Sequence, residues 1–262
     1  KPLQTAGKIY THREGVWIQL QWENYTGVGE AAPLEGFSRE NMKEVHYALE
    51  GFHQAIYGEN FDTDDLLSLV NIHGEDVPSV QFALETAVFD LLAQKAGKPL
   101  AFYLNPHAHT EIAVNGITGI HMPGNGFKVM KVKVGFRDIS DETKQMVMLA
   151  KSFGEDTLFR LDANGSFNLT QAIRFCKEME AFNIDYIEQP LLNFEDLCEL
   201  RMHSDIPIAI DELLSDYYSA EKIIDNSAAD VFVIKPTMTG GFDDIKKIID
   251  LAETEKIKVV LT

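Results

Sequence analysis

Six residues of this chain have types and spacings suited to acid–base chemistry around a hard cation. Lys131 and Lys133 stand one residue apart in the run Val129-Met130-Lys131-Val132-Lys133-Val134. In a strand, alternate side chains face the same way, so both lysines share one face and Val132 and Val134 the other. Two ammonium groups on an interior face are costly unless anions meet them. The plainer alternative is an edge strand with a solvated basic face. Three candidate anions follow, Asp162, Glu188 and Asp211, each closing a short apolar run, and Lys235 closes a fourth. Carboxylates are hard oxygen donors suited to Mg²⁺. One Asp ending a strand reads as the N-cap of the next helix. Three acids in register, flanked by lysines, do not, because unpaired they repel one another and a divalent cation removes that penalty. A metal facing one or two lysines suits removal of a proton next to a carboxylate. The ion stabilises the second negative charge of the enediolate where it develops. A lysine acts as base only when neutral, and a neighbouring cation and partial desolvation favour that form. This assigns Lys133 as the base and Lys131 as the residue that tunes it. Lys235 is a second acid or base, or a cation steadying the intermediate.

The elements that would position these groups recur from residue 111 onward. Strand-like runs at 112–115, 129–134, 158–162, 186–188, 208–211, 231–235 and 257–261 alternate with helix-like segments at 142–153, 170–182, 194–203, 219–226 and 243–255. The charged strand ends lie roughly 23 to 29 residues apart, the length of a βα unit with its loops. So many βα units imply a parallel sheet closing into an α/β barrel, whose C-terminal strand ends carry catalytic groups.

Residues 1–110 read differently. A β-prone run at 16–22, a turn at 23–27 and a second run at 28–34 predict an antiparallel hairpin or meander. Helices are expected at 39–52 with Ser38 as N-cap, at 62–70, and at 79–96, the last ended by Gly97 and Pro99. The chain thus divides into an α+β domain, 1–110, and a barrel domain, 111–262. Glu30 and His12 read as solvated polar positions, and His107, His109 and His121 as surface or loop residues.

Composition narrows the partners. A formal charge of −18 argues against nucleic acid or an anionic membrane surface as the main partner. The charge does not identify a substrate; the metal and lysine chemistry above is what implies a small-molecule carboxylate. No apolar run reaches the length of a membrane span, and the N-terminus lacks a signal-peptide pattern. Cys176 and Cys198 have no metal or redox spacing, which favours a reduced, cytoplasmic setting. Because residue 1 is Lys, an upstream piece is expected.

Lys131-Val132-Lys133, Asp162-Ala163-Asn164-Gly165, Glu188-Gln189-Pro190, Asp211-Glu212 and Lys235-Pro236 together resemble the enolase superfamily, in its order and over nearly the whole chain. Sites of that family are described as a Lys or His base with Mg²⁺ stabilising an enediolate. The resemblance implies a modified (β/α)8-type barrel of (β/α)7β form. Residues 29–34 and 96–100 look like its N-terminal capping domain. It makes Asp162, Glu188 and Asp211 ligands of Mg²⁺, for which Mn²⁺ is a substitute, and sets Lys133 and Lys235 on opposite sides of the substrate. Within the family, 187–191 and 234–241 look most like the o-succinylbenzoate synthases, dehydratases of menaquinone biosynthesis that act on the cyclohexadiene precursor SHCHC. There one lysine removes the α-proton and then protonates the departing hydroxide, so Lys133 would do both. Lys235 would steady the enediolate by a cation–π contact. Asn164 would support the metal site, and Gly240 and Gly241 would let backbone approach the substrate, their plainer reading being a turn before a helix. Dipeptide epimerases and N-acylamino-acid racemases are the alternative, since a lysine on each face serves them too.

The sequence departs from the family pattern in three places. Residues 116–126 are too short and glycine-rich for the usual helix. A lid loop is missing between Gly7 and Lys8, and the last barrel strand is missing after Thr262. The expectation is that segments are omitted at these points, leaving breaks near 7–8 and 122–126.

Overall fold

The computed structural model describes residues 3–4, 9–118, 123–124, 126–154 and 156–262. The breaks expected near 7–8 and 122–126 fall on or beside positions outside the described residues, as does His121. The chain forms two compact units, one of residues 1–110 with 235–247, the other of 111–234 with 248–262.

The first unit opens with two short antiparallel strands, β1 (Leu3–Gln4) and β2 (Ile9–Tyr10). The hairpin of β3 (Val16–Trp22) and β4 (Tyr25–Ala31) follows, in the register Val16↔Ala31 to Trp22↔Tyr25. Its turn is shorter than expected because Glu23 takes the left-handed conformation, φ 53°, closing the chain in two residues. Then come α1 (Met42–Ile56), α2 (Thr63–Gly74), α3 (Pro78–Lys95) and α4 (Leu100–Leu104). Helix α1 starts later than expected. Asn41, not Ser38, is its N-cap, in a reciprocal capping box with Glu44, while the Ser38 hydroxyl accepts from the Leu34 N–H. The buried core joins Ile18 and Ala31 of the hairpin to Val45, Phe52, Val70 and Leu84 of the helices.

Close packing of β4 on α3 depends on two glycines. A Cβ at Gly27 would be driven into the Ala87 carbonyl, and one at Gly29 into the Ala83 carbonyl. The same unit includes α9 (Pro236–Thr239) and the start of α10 (Phe242–Thr254). The Phe242 ring packs on Phe82 and Phe89 of α3, and the Phe242 N–H, at the start of α10, donates to the buried Glu85 carboxylate. Gly240 and Gly241 lie at this turn. Gly240 has φ 111°, and added side chains on the two would strike Gln81 and Glu85 of α3. The turn into α10 and the approach of α3 thus account for both.

The second unit carries a seven-stranded, all-parallel sheet in the order β11-β10-β9-β8-β7-β6-β5. Its strands are β5 (Gly116–Ile117), β6 (Val129–Lys133), β7 (Leu158–Asp162), β8 (Ile184–Glu188), β9 (Ile208–Ile210), β10 (Val231–Ile234) and β11 (Lys258–Leu261). Helices α5 (Ile139–Phe153), α6 (Leu169–Met179), α7 (Phe194–Arg201) and α8 (Tyr217–Asp225) connect β6 through β10 in turn. This is the expected βα repeat, in the form of a half-barrel. The strand expected at 112–115 is instead irregular, with Ile112 and Val114 exposed. Pairing begins at Gly116, opposite Met130, where a Cβ would meet Met130 and Phe127. Apolar alternation at 112–115 reads as a strand, but no strand among the described residues pairs with it.

Replacing Gly29 by Ala should destabilise the protein by about 2–3 kcal/mol through overpacking on α3, read as a lower urea midpoint by fluorescence of Trp17 and Trp22. Burial, reinforced by Asp243 and Asp244 and opposed by hydrogen bonds from Phe242 and Gln81, holds the Glu85 carboxyl above its ordinary value of 4.5. The folded chain therefore binds that proton more tightly than the unfolded chain does. Stability is greatest below the ordinary value and falls as pH rises through the raised one. Glu85→Gln keeps an acceptor for Phe242 and should flatten that decline, measured as melting temperature against pH.

Candidate active site

Strand register brings the charges together. Lys133 of β6 pairs with Asp162 of β7, which pairs with Glu188 of β8. Glu188 pairs with Ala209 of β9, and Asp211 stands just past that strand. Met130 and Val132 are fully buried on one face of β6, while Lys131 and Lys133 occupy the other.

The Lys131 Nζ lies 2.7 Å from Glu188 Oε1 and 2.9 Å from Asp162 Oδ2. The Lys133 Nζ is 2.6 Å from the same Asp162 oxygen and also donates to Asn164 Oδ1. Asn164 in turn donates through Nδ2 to Glu212 Oε1 at 2.8 Å. Asp162 and Glu188 are each 1 % exposed and Asp211 is 6 % exposed. Lys131, Lys133, Asp162 and Glu188 border a cavity of about 170 Å³, with Asn115, Tyr186 and Val233 also in its wall. Beneath it, Arg160 bonds Asp185 and Asn115 and lies over the Tyr186 ring.

Burial acts against the Lys131 charge, but Asp162 and Glu188 outweigh it and hold the ammonium above the usual lysine range. Burial likewise pushes the Asp162 carboxyl up, and the two ammonium groups overcome it, holding the group below the usual carboxylate range. Glu188 differs. Burial and then the Asp162 charge push it up to about 7, with Asp211 adding and Lys131 opposing. Asp162 has two cations, whereas Glu188 has a share of one and two carboxylates nearby.

Three buried carboxylates offer hard oxygens, and Glu188 Oε2 is buried with no hydrogen-bond partner among the described residues. Burial, with the Asp162 and Asp211 charges, raises the Glu188 carboxyl further than the Lys131 ammonium lowers it. As the side chains stand, no three His, Cys, Asp or Glu among the described residues converge into a metal cage; the Lys131 ammonium bridges two of the acids instead. The chemistry of the set fits Mg²⁺.

Backbone hydrogen bonds position the loops, through residues to which the sequence reading gave no role. Glu142 Oε1 accepts from three successive N–H groups, of Gly135, Phe136 and Arg137, fixing the chain just after Lys133. Gln189, fully buried at φ 39°, accepts through Oε1 from the Asp211 and Leu213 N–H groups. It thereby ties the loop after β9 to the end of β8. Gln189 lay within the quoted Glu188-Gln189-Pro190 motif, and Glu212 beside Asp211, so both were in view without a geometry to give them a task. Lys235 is half-buried directly after β10. Glu30, His12, His107 and His109 are exposed, as the solvated reading expected.

Lys131→Met should destabilise the chain by on the order of 3 kcal/mol, because it leaves the buried Glu188 carboxylate without its ammonium partner and Asp162 with Lys133 alone. Lys133→Met should cost less, since the Lys133 side chain is 39 % exposed against 18 % for Lys131. Urea unfolding in EDTA ranks the two.

Comparison with known proteins places this geometry. Residues 122–262 match the family described as "Enolase C-terminal domain-like", and residues 5–91 match "MenC, N-terminal domain". The D-Ala-D/L-Ala epimerase of Cytophaga hutchinsonii is 26 % identical, over 99 % of this chain and 74 % of its own length. The N-succinyl-L-Arg/Lys racemase of Bacillus cereus is 25 % identical, over 95 % of this chain and 72 % of its own. A crystal structure of the dipeptide epimerase from Cytophaga hutchinsonii, complexed with Mg and the dipeptide D-Ala-L-Val, superposes with a TM-score of 0.88 at 25 % identity. It covers all of this chain and 75 % of that one. The C-terminal match spans more than half of the chain and contains Lys131, Lys133, Asp162, Glu188, Asp211 and Lys235, and on that ground this protein belongs to the enolase superfamily.

Proposed function

We propose that this enzyme removes a proton alpha to a carboxylate with Lys133 as base, and that it is a Mg²⁺-dependent dehydratase forming o-succinylbenzoate from SHCHC in menaquinone biosynthesis. One observation carries the acid–base reading: the Lys133 ammonium, aligned by Asp162 and Asn164, borders a small cavity whose other charged walls are Lys131, Asp162 and Glu188. The match of residues 5–91 to the MenC N-terminal domain supports the dehydratase in particular. Asp162, Glu188 and Asp211 would hold the ion, which when bound supplies charge stabilisation to the enediolate.

In this reading neutral Lys133 takes the α-proton and the substrate becomes the enediolate. The same Nζ–H then protonates the departing hydroxide, the C–O bond breaks, and water leaves with Lys133 neutral again. Lys131 remains cationic, held by two carboxylates, so it does not compete for the proton. Lys235 is assigned the cation that steadies the intermediate. Cys176 and Cys198 are both free thiols, in keeping with a cytoplasmic setting. No helix among the described residues is long and apolar enough to cross a membrane.

A second reading, as an epimerase or racemase, is favoured by the names of the relatives, which act on dipeptides and N-succinylamino acids. Lys133 and Lys235 would then serve opposite faces of the α-carbon. Purified protein should convert SHCHC to the aromatic product with Mg²⁺ and not with EDTA, and Lys133→Ala should lower kcat by roughly a thousandfold. If SHCHC is inert while α-deuterium enters a dipeptide or N-succinylamino acid with Mg²⁺, the activity is the isomerase and the base assignment stands.

A further inference from the structure

We propose that Glu212 is a positioning residue for Lys133, acting through the Asn164 amide; the inference rests on the reading of Lys133 as the base. An ionised carboxylate only accepts hydrogen bonds, and a primary amide offers an oxygen at one end and two N–H donors at the other. Glu212 Oε1 takes the Asn164 Nδ2 N–H at 2.8 Å. That contact commits the donor end of the amide to Glu212 and leaves its oxygen facing Lys133, where it accepts from Nζ. Rotating the amide by half a turn would set its N–H donors against the ammonium and its oxygen against the carboxylate. Both contacts would become repulsive, so Glu212 selects one of two orientations.

Lys133 needs this because a lysine is a point charge on a flexible four-carbon stem. Asp162 and Asn164 take two of its three N–H directions, leaving the third for the cavity. Asn164 is itself fixed. Its backbone lies in the left-handed region at φ 44°, and its N–H donates to Asp162 Oδ1 at 3.2 Å. Glu212 is fixed from both sides, since the one Gln189 oxygen accepts from Asp211 and Leu213, the residues flanking it. Three strand ends, those of β6, β7 and β9, are thereby joined by the sequence Lys133–Asn164–Glu212. Asp211 is the acid expected to hold a cation; its neighbour Glu212 does a different task on the same turn.

The test uses kcat and KM for SHCHC with Mg²⁺, or α-deuterium exchange into L-Ala-L-Glu if the isomerase reading holds. Glu212→Ala should lower kcat about a hundredfold, the cost of misplacing a reacting group by about an ångström, with little change in KM. Glu212→Gln, which can still present an oxygen to Asn164, should recover most of that loss. The double variant Glu212→Ala/Asn164→Ala should be no slower than Asn164→Ala alone, because the two act in series. If Glu212→Ala does not fold, judged by its melting temperature, Glu212→Leu takes its place. Unchanged kcat in Glu212→Ala while Lys133→Ala is inactive overturns the inference and leaves the base reading standing. So do independent, multiplying losses in the double variant, or a Glu212→Gln no better than Glu212→Ala. An active Lys133→Ala overturns the base reading, and this inference with it.

Discussion

The structure depends on charge compensation at the C-terminal ends of neighbouring parallel strands. Asp162 and Glu188 are almost wholly buried, where a lone carboxylate would lose several kcal/mol of hydration. Two lysines on β6 make that burial tolerable, and strand register delivers them, since Lys133, Asp162 and Glu188 are successive partners across β6, β7 and β8. The compensation is uneven. Asp162 receives two ammonium groups and Glu188 shares one, so Glu188 is held near 7 while Asp162 is held low. A site with negative charge in excess is disposed to take up a divalent cation, and that imbalance connects the fold to the proposed chemistry.

Precision in the loops comes from a different source. Two side chains there bond backbone: Glu142 holds the three N–H groups after β6, and Gln189 holds those on either side of Glu212. Two non-glycine residues, Asn164 and Gln189, sit in the left-handed region at these turns, a conformation that costs energy unless the surroundings enforce it. Backbone bonds from Gly165 to Gln189 and from Ala163 to Glu188 supply part of that enforcement. The Lys133 end of β6 is thus surrounded by turns that have little freedom to shift.

The first unit solves a separate packing problem with glycine and with buried acid. Gly27 and Gly29 let β4 lie directly on the α3 backbone, and Glu85 accepts the first N–H of α10, one of the donors a helix start leaves unsatisfied. Glu40 and Ser79 are buried in the same unit and joined by a bond from the Ser79 N–H to Glu40 Oε1, and the apolar core is drawn from the hairpin and three helices.

The sequence by itself determined the repeat of strand and helix, the parallel sheet it implies, and the residue types at the strand ends, because alternation and βα spacing are local properties written into the order of side chains. It was enough to pick out Lys131, Lys133, Asp162, Glu188 and Asp211. It misplaced the first strand of the sheet, since 112–115 alternates like a strand and only a neighbour, which it lacks, could make it one. It placed the start of α1 at Ser38 because Ser and Asn both cap helices, and the choice fell to the reciprocal bond between Asn41 and Glu44. Tertiary structure alone decided which acid each lysine meets, why Gly240 and Gly241 are small, and what Glu142, Gln189 and Glu212 hold. Those outcomes rest on hydrogen bonds between groups far apart in the chain, whose distances are set by register and turn geometry, not by local pattern.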